Sequence, residues 1–220
     1  MARTCRSTLA PSPPRAASKR RGAATMIYLL RHGQTEYNLE HRIQGRMDSP
    51  LTSLGREQAE AMGRTLRQLL EDGHEFEIIA SPQERAMTSA RLMRDAAGID
   101  RPVIPDARLQ EVGCGSWEKH HFASICARDP LVEDEPCFLS AWANYCTDGE
   151  GLDVAVERLW GWLCWAGKRD LIVVGHGVSG SILRALYAGE ERDGMLRYHS
   201  ARQDVFHRLD MGWVEEIPVR

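Results

Sequence analysis

The sequence predicts an α/β protein, a three-layer α/β/α sandwich whose mostly parallel central sheet carries an antiparallel edge. Three observations predict it. Apolar runs of strand length, MIYLL (26–30), FEIIA (76–80) and LIVVG (171–175), alternate with longer amphipathic stretches. Those stretches, 53–70, 82–97, 152–166 and 178–188, repeat their apolar residues at helical spacing. The chain closes on DVFHRL and WVEEIP about Met211 and Gly212, a hairpin that adds antiparallel strands at one edge.

Each element has a local cause. MIYLL is an unbroken apolar run that ends on the charged pair Arg31 and His32. In 53–70, Ala59, Met62, Leu66 and Leu69 fall on one helical face. After FEIIA, the run SPQE offers Ser81 as N-cap, Pro82 as first helical residue and Glu84 three places beyond the cap. Arg85 then stands in the first turn, above the carboxyl end of a strand. Residues 118–150 show no period and hold Pro130, Pro136 and the acidic run Glu133, Asp134 and Glu135. They are expected to form an irregular, partly helical insertion that covers a site. In 152–166, Leu152, Val156, Leu159 and Leu163 share a face, while Trp160, Trp162 and Trp165 divide between packing and helix surface.

Composition narrows the class. The chain has 220 residues and no apolar run of the roughly 18–20 residues that a membrane-spanning helix needs, so a cytoplasmic, single-domain protein is expected. Six cysteines stand at 5, 114, 126, 137, 146 and 164 without a C-x-x-C pair, which favours reduced thiols over structural zinc. His120 and His121 are sequence neighbours that point apart, a solvated pair rather than a metal site. Residues 1–25 contain six Lys or Arg, no acidic residue, and mostly Ala, Ser, Pro and Thr. Such a segment cannot bury enough apolar surface to order itself. It is expected to be a disordered basic tail ahead of a 26–220 domain, read first as a misassigned start with Met26 as initiator and second as a transit peptide. Residues 26–220 carry 22 basic against 31 acidic side chains, which disfavours a nucleic-acid partner.

In open α/β sheets, ligands bind beyond the carboxyl ends of the strands. Three strands deliver polar residues there: Arg31 and His32 after MIYLL, Arg85 after FEIIA, and His176 between Gly175 and Gly177 after LIVV. Two arginines and two histidines on one edge make an anion pocket. A guanidinium grips phosphate oxygens in pairs, and its charge keeps a neighbouring imidazole neutral and nucleophilic. Glycines at 33, 175 and 177 let backbone approach a ligand. Taken singly, each residue has a plainer reading: His176 a satisfied turn histidine, Arg85 a helix-surface arginine, Asn38 a turn cap.

Five blocks, RHGQTEYN, IQGRMDSPLTSLGREQA, SPQERAMTSA, LQEVGCGSWE and VVGHG, together resemble the histidine phosphatase superfamily. The branch is that of cofactor-dependent phosphoglycerate mutases and related small phosphatases, and the resemblance spans nearly all of 26–217. It implies that His32 takes the phosphoryl group as phosphohistidine and that Arg31, Asn38, Arg85 and His176 bind its oxygens. Gln44 and Gly45 match a substrate-side loop, and Gly177 adjoins the second histidine. Glu111 matches the proton donor; by position alone Asp106 and Glu118 compete for that role. The resemblance implies neither metal nor other cofactor, since arginines supply the charge, and a small phosphorylated metabolite as substrate. The chain departs from the family's small phosphatases where Lys119 follows Trp117 and Glu118, and where Gly151 closes GEG; both places lie on the substrate side. It also lacks the long insertion with which mutases hold a bisphosphate, and residues 118–150 are rich in acid. Hydrolysis of a phosphomonoester is therefore the expected activity. A phosphoglycerate mutase and a catalytically idle phospho-ligand module are the alternatives.

Overall fold

A computed structural model describes residues 26–70, 75–197 and 202–220. The expected basic tail over 1–25 lies outside them. Among the described residues, one sheet contains β1 (Met26–Arg31), β2 (Glu77–Ala80), β3 (Val103–Pro105), β4 (Leu171–Gly175), β5 (Val205–Asp210) and β6 (Trp213–Pro218). The strand order is β3-β2-β4-β1-β5-β6. Pairing is parallel from β3 to β1, and antiparallel from β1 to β5 and from β5 to β6. This is the predicted mixed sheet with its antiparallel edge.

The helices are α1 (Glu36–Leu39), α2 (Ser53–Leu69), α3 (Glu84–Ala97), α4 (Phe122–Cys126), α5 (Pro130–Glu133), α6 (Phe138–Tyr145), α7 (Leu152–Ala166), α8 (Val178–Ala188) and α9 (Arg192–Arg197). They cover both faces of the sheet. Along β1, Ile27 and Leu29 point into a core with Leu159 and Trp162 of α7 and Ile182 of α8. Tyr28 and Leu30 point the other way, onto Met62 and Leu66 of α2 and Met93 of α3. A strand buried on both faces needs apolar residues at every position, which is why MIYLL and LIVVG do not alternate. Each fully buried aliphatic or aromatic side chain contributes about 1.5–3 kcal/mol.

Local prediction failed at three points. Leu69 is 40% exposed, because α2 ends there and the extended Leu70 turns into the core instead. On α7 the buried face is Leu152, Ala155, Leu159, Trp162 and Ala166, with Val156 and Leu163 at its margins. Helix α3 starts at Glu84, two residues later than SPQE suggests, and its N-cap Gln83 makes no capping bond. Its free amides are taken by Asp48, whose carboxylate accepts from Glu84 N at 2.7 Å and Arg85 N at 3.4 Å. A cap borrowed from a loop 36 residues upstream leaves no local trace.

Residues 118–150 are partly helical, as expected, through α4, α5 and α6. They are held by Phe122 and Phe138 packed on each other at 5.2 Å and on Trp117. Buried Trp142 donates from Nε1 to the carbonyl of Gly113 at 3.0 Å, fixing the turn that follows Glu111. The five described cysteines are unpaired thiols, and His120 and His121 are exposed.

Candidate active site

The central strands β2, β4 and β1 are neighbours and run parallel, so their carboxyl ends open on one edge. Arg31 is in register with Gly175, which sets His32 beside His176. Their rings lie 5.2 Å apart, edge to face at 63°. Arg85 enters from the first turn of α3, and Glu111 from the segment after β3.

His32 is only 2% exposed. Its Nδ1 lies 2.7 Å from the carbonyl oxygen of Gly33, which can only accept, so Nδ1 carries the proton. Arg85 Nε donates to Nε2 at 3.3 Å, which therefore holds a lone pair. Burial, then the charges of Arg85 and Arg31, hold the His32 pKa well below 6.5. The ring is therefore neutral, with its lone pair on Nε2 facing Arg85. His176 is neutral for similar reasons, burial first and Arg85 next. Both its ring nitrogens are buried without a hydrogen-bond partner, as is Arg31 Nε. Three orphaned polar atoms around one neutral imidazole are suited to a polar ligand that satisfies them.

Burial pushes the Arg31 pKa down to about 10, opposed by Glu111, so the guanidinium stays charged at neutral pH. Arg85 is lowered by burial, against the opposing charges of Glu111, Asp48 and Glu118. Its side chain is clamped: Nη1 donates to Met47 O at 2.7 Å and Asp48 at 2.9 Å, Nη2 to Gly45 O at 2.8 Å. Gly45 takes φ +53°, and a Cβ there would meet Glu118 Oε1 at 2.2 Å, so a side chain in the turn that presents this carbonyl would be strained and would displace Glu118.

Glu111 is 8% exposed and faces the first turn of α8. Its Oε1 accepts from Val112 N at 3.0 Å and Ser179 N at 2.8 Å, its Oε2 from Val178 N at 3.0 Å. Gly177 is the N-cap of α8 and directly follows His176. Of the other two acidic candidates, Asp106 is paired with Arg108 at 2.6 Å, and Glu118 accepts from the amides of Arg46 and Cys114. Asn38 closes a capping box with Thr35 and so does cap a turn; its Oδ1 accepts from Thr35 N at 3.2 Å. Gln44 donates from Nε2 to Thr35 Oγ1 at 2.7 Å, and its Oε1 is buried without a partner.

Sequence reasoning missed three residues. Gln83 is buried and joins two loops, Oε1 accepting from Glu111 N at 2.8 Å and Nε2 donating to Gly45 O at 3.2 Å. Asp48 anchors Arg85, and Ser89 Oγ accepts from Gly33 N at 3.0 Å. Each acts across 28 or more residues, and nothing local marks it.

A cationic pocket around a neutral imidazole, at the carboxyl edge of an open α/β sheet, is the equipment of a phosphoryl-binding protein. The chain belongs to the histidine phosphatase superfamily (branch 1), whose family model matches residues 27–209. A relative in Enterobacter sp. (strain 638), named probable phosphoglycerate mutase GpmB, is 34% identical over 208 residues, covering 87% of this chain and 91% of its own. Among solved structures, Bacillus stearothermophilus YhfR superposes with a TM-score of 0.71 at 27% identity, over 88% of this chain and 96% of that one. A putative alpha-ribazole-5'-P phosphatase from Escherichia coli K-12 shares the fold, with a TM-score of 0.68 at 24% identity over 89% and 96% of the two chains. A relative named as a probable mutase and a protein of the same fold named as a putative phosphatase thus both stand among the chains it is similar to. No helix among the described residues is long and apolar enough to cross a membrane.

Proposed function

We propose that the protein is a phosphatase that hydrolyses small phosphomonoesters through a phosphohistidine on His32. The observation that carries this reading is the tautomer of His32, with Nδ1–H held by Gly33 O and the Nε2 lone pair facing Arg85. Substrate binding transfers Arg85 Nε from His32 to a phosphoryl oxygen, which frees the lone pair. Arg31, His176 and the Nδ2 of Asn38 take the remaining oxygens, with Gly177 close by, while Gln44 and Gly45 line the ester side. Nε2 attacks phosphorus, the ester P–O bond breaks, and the leaving alkoxide takes a proton from Glu111. Oε2 of Glu111 suits that transfer, since it accepts one amide where Oε1 accepts two. Water then attacks the phosphohistidine, its proton passes to Glu111, the P–N bond breaks and phosphate leaves. The protein's part is to position the group and neutralise its equatorial charge.

Quenched turnover of labelled substrate tests this: an acid-labile, base-stable phosphoenzyme is expected from the native chain and none from His32→Ala. Appreciable turnover by that variant would remove the covalent mechanism. The mutase reading is favoured by the names of relatives such as that in Enterobacter. Incubation with 3-phosphoglycerate, with and without 2,3-bisphosphoglycerate, separates the two. Release of phosphate independent of the bisphosphate is expected; bisphosphate-stimulated 2-phosphoglycerate with little free phosphate would establish the mutase.

A further inference from the structure

Next to the phosphoryl pocket lies an open cleft of about 470 Å³, within the range of roughly 300–1,000 Å³ typical of small-molecule sites. Two of its walls continue the pocket along the chain. Arg46 follows Gly45, whose carbonyl holds Arg85, and Gly113 stands two residues beyond Glu111. The alcohol of an ester that extends from the pocket along these two turns meets the cleft.

The charges there are uneven. Its one cationic side chain, Arg46, is already paired with Glu150 at 3.1 Å. Glu150 is further held by Arg158 through two contacts of 2.8 Å. The other two carboxylates, Glu118 and Asp148, have no ion-pair partner among the described residues. Glu118 Oε1 accepts from the amides of Arg46 and Cys114, and Asp148 Oδ2 accepts from Ser116 N at 2.8 Å. Glycines 113, 115 and 149 complete the floor, Val154 is the apolar contribution, and no aromatic ring lines the cleft. An anionic leaving group meets two uncompensated carboxylates and one committed arginine. A hydroxyl meets strong acceptors, and a planar base finds no stacking surface.

We infer that this cleft selects phosphate esters of small aliphatic alcohols that bear further hydroxyls and no second anionic group, the chemistry of polyol and sugar monophosphates. The inference rests on the phosphatase reading above. A matched pair tests it: glycerol 3-phosphate and 3-phosphoglycerate share three carbons and differ in a hydroxymethyl against a carboxylate.

At low ionic strength kcat/KM is expected to favour glycerol 3-phosphate by about tenfold, mainly through KM, and the gap should shrink with added salt. Asp148→Asn keeps an acceptor for Ser116 N while removing the charge, and should narrow the ratio about threefold, the scale of one exposed charge. Equal or better turnover of 3-phosphoglycerate, or a ratio unmoved by Asp148→Asn, overturns the inference. p-Nitrophenyl phosphate separates the two levels: no phosphate from it or from either ester overturns the phosphatase reading itself. Phosphate from it, together with a preference for 3-phosphoglycerate, overturns only the selectivity of the cleft.

Discussion

Replacing Gly33 with alanine tests how tightly the mount of His32 is built. A Cβ at Gly33 would lie 1.9 Å from the carbonyl oxygen of Gly55 and 2.6 Å from its carbon. The contact is reciprocal, because a Cβ on Gly55 would lie 2.0 Å from Gln34 O. All the atoms met are backbone, so no rotamer can relieve the overlap, and the loop and the first turn of α2 must separate by about 1.5 Å to regain normal contact. Overpacking of this kind costs about 1–3 kcal/mol. For a chain of this size that lowers Tm by roughly 2–12 °C.

Activity should suffer more than stability. Gly33 O is the acceptor that fixes His32 Nδ1 at 2.7 Å, and Gly33 N is tied to Ser89 Oγ at 3.0 Å. Displacing a reacting group by about 1 Å can cost on the order of 100-fold in rate. The assay is kcat/KM on p-nitrophenyl phosphate beside a thermal melt followed by circular dichroism. Gly161→Ala is the control, since a Cβ at that exposed position on α7 meets no atom within 4 Å. It should leave activity unchanged and raise stability by up to about 1 kcal/mol. Retention by Gly33→Ala of more than half the native kcat/KM would refute the claim that backbone contact with α2 holds His32, the proposed nucleophile, in place.

Asp48→Asn removes the carboxylate that pairs with buried Arg85 and caps α3. It should cost about 1–3 kcal/mol in urea unfolding, and raise KM, while an unchanged KM would show that the backbone carbonyls suffice to aim Arg85. Gln83→Leu strips the acceptor from Glu111 N, so alkyl phosphates should lose more kcat than p-nitrophenyl phosphate, whose leaving group needs no proton; equal losses would detach Gln83 from the proton donor. Acid should destabilise the fold early. His32, His176 and His207 all have folded pKa values below the unfolded value near 6.5, all with burial as the leading cause, His207 falling to about 3. Above pH 6.5 neither state binds these protons and stability is flat. Below it the unfolded chain takes up protons the folded chain refuses, and each ring withdraws up to about 1.4 kcal/mol per pH unit. Urea midpoints that stay constant from pH 7 to pH 5 would contradict this.

What could be read from the chain was whatever a short stretch decides by itself. MIYLL and LIVVG announce strands because double burial demands unbroken apolar residues, and the polar residues at their ends follow from strand polarity. Thr35 and Asn38 stand three residues apart, so their capping box is local and visible. Glu111 required the resemblance, since Asp106 and Glu118 are as acidic and as near. The fold adds what spacing does not show: Glu111 is turned onto the amides of Val178 and Ser179, 67 and 68 residues away. Gln83 and Asp48 were hidden for the same reason. Their partners are brought close by the sheet rather than by spacing, and long-range pairing has no period.

The position of β4 between β1 and β2 has a consequence for how the molecule breathes. The strands that carry His32 and His176 have neighbours on both sides, so their amides are shielded until the whole sheet opens, and they should be among the slowest to exchange with deuterium. The turns around Arg46 and Asp148 lie outside the sheet and are tied to the fold by polar contacts, Gly45 O and Asp48 to Arg85 on one side and Glu150 to Arg158 on the other. Arg46 and Asp148 are themselves exposed, so substitutions at these two positions leave the shielded sheet untouched. On the proposed function, the residues that would handle phosphorus and those that would meet the alcohol can therefore change independently.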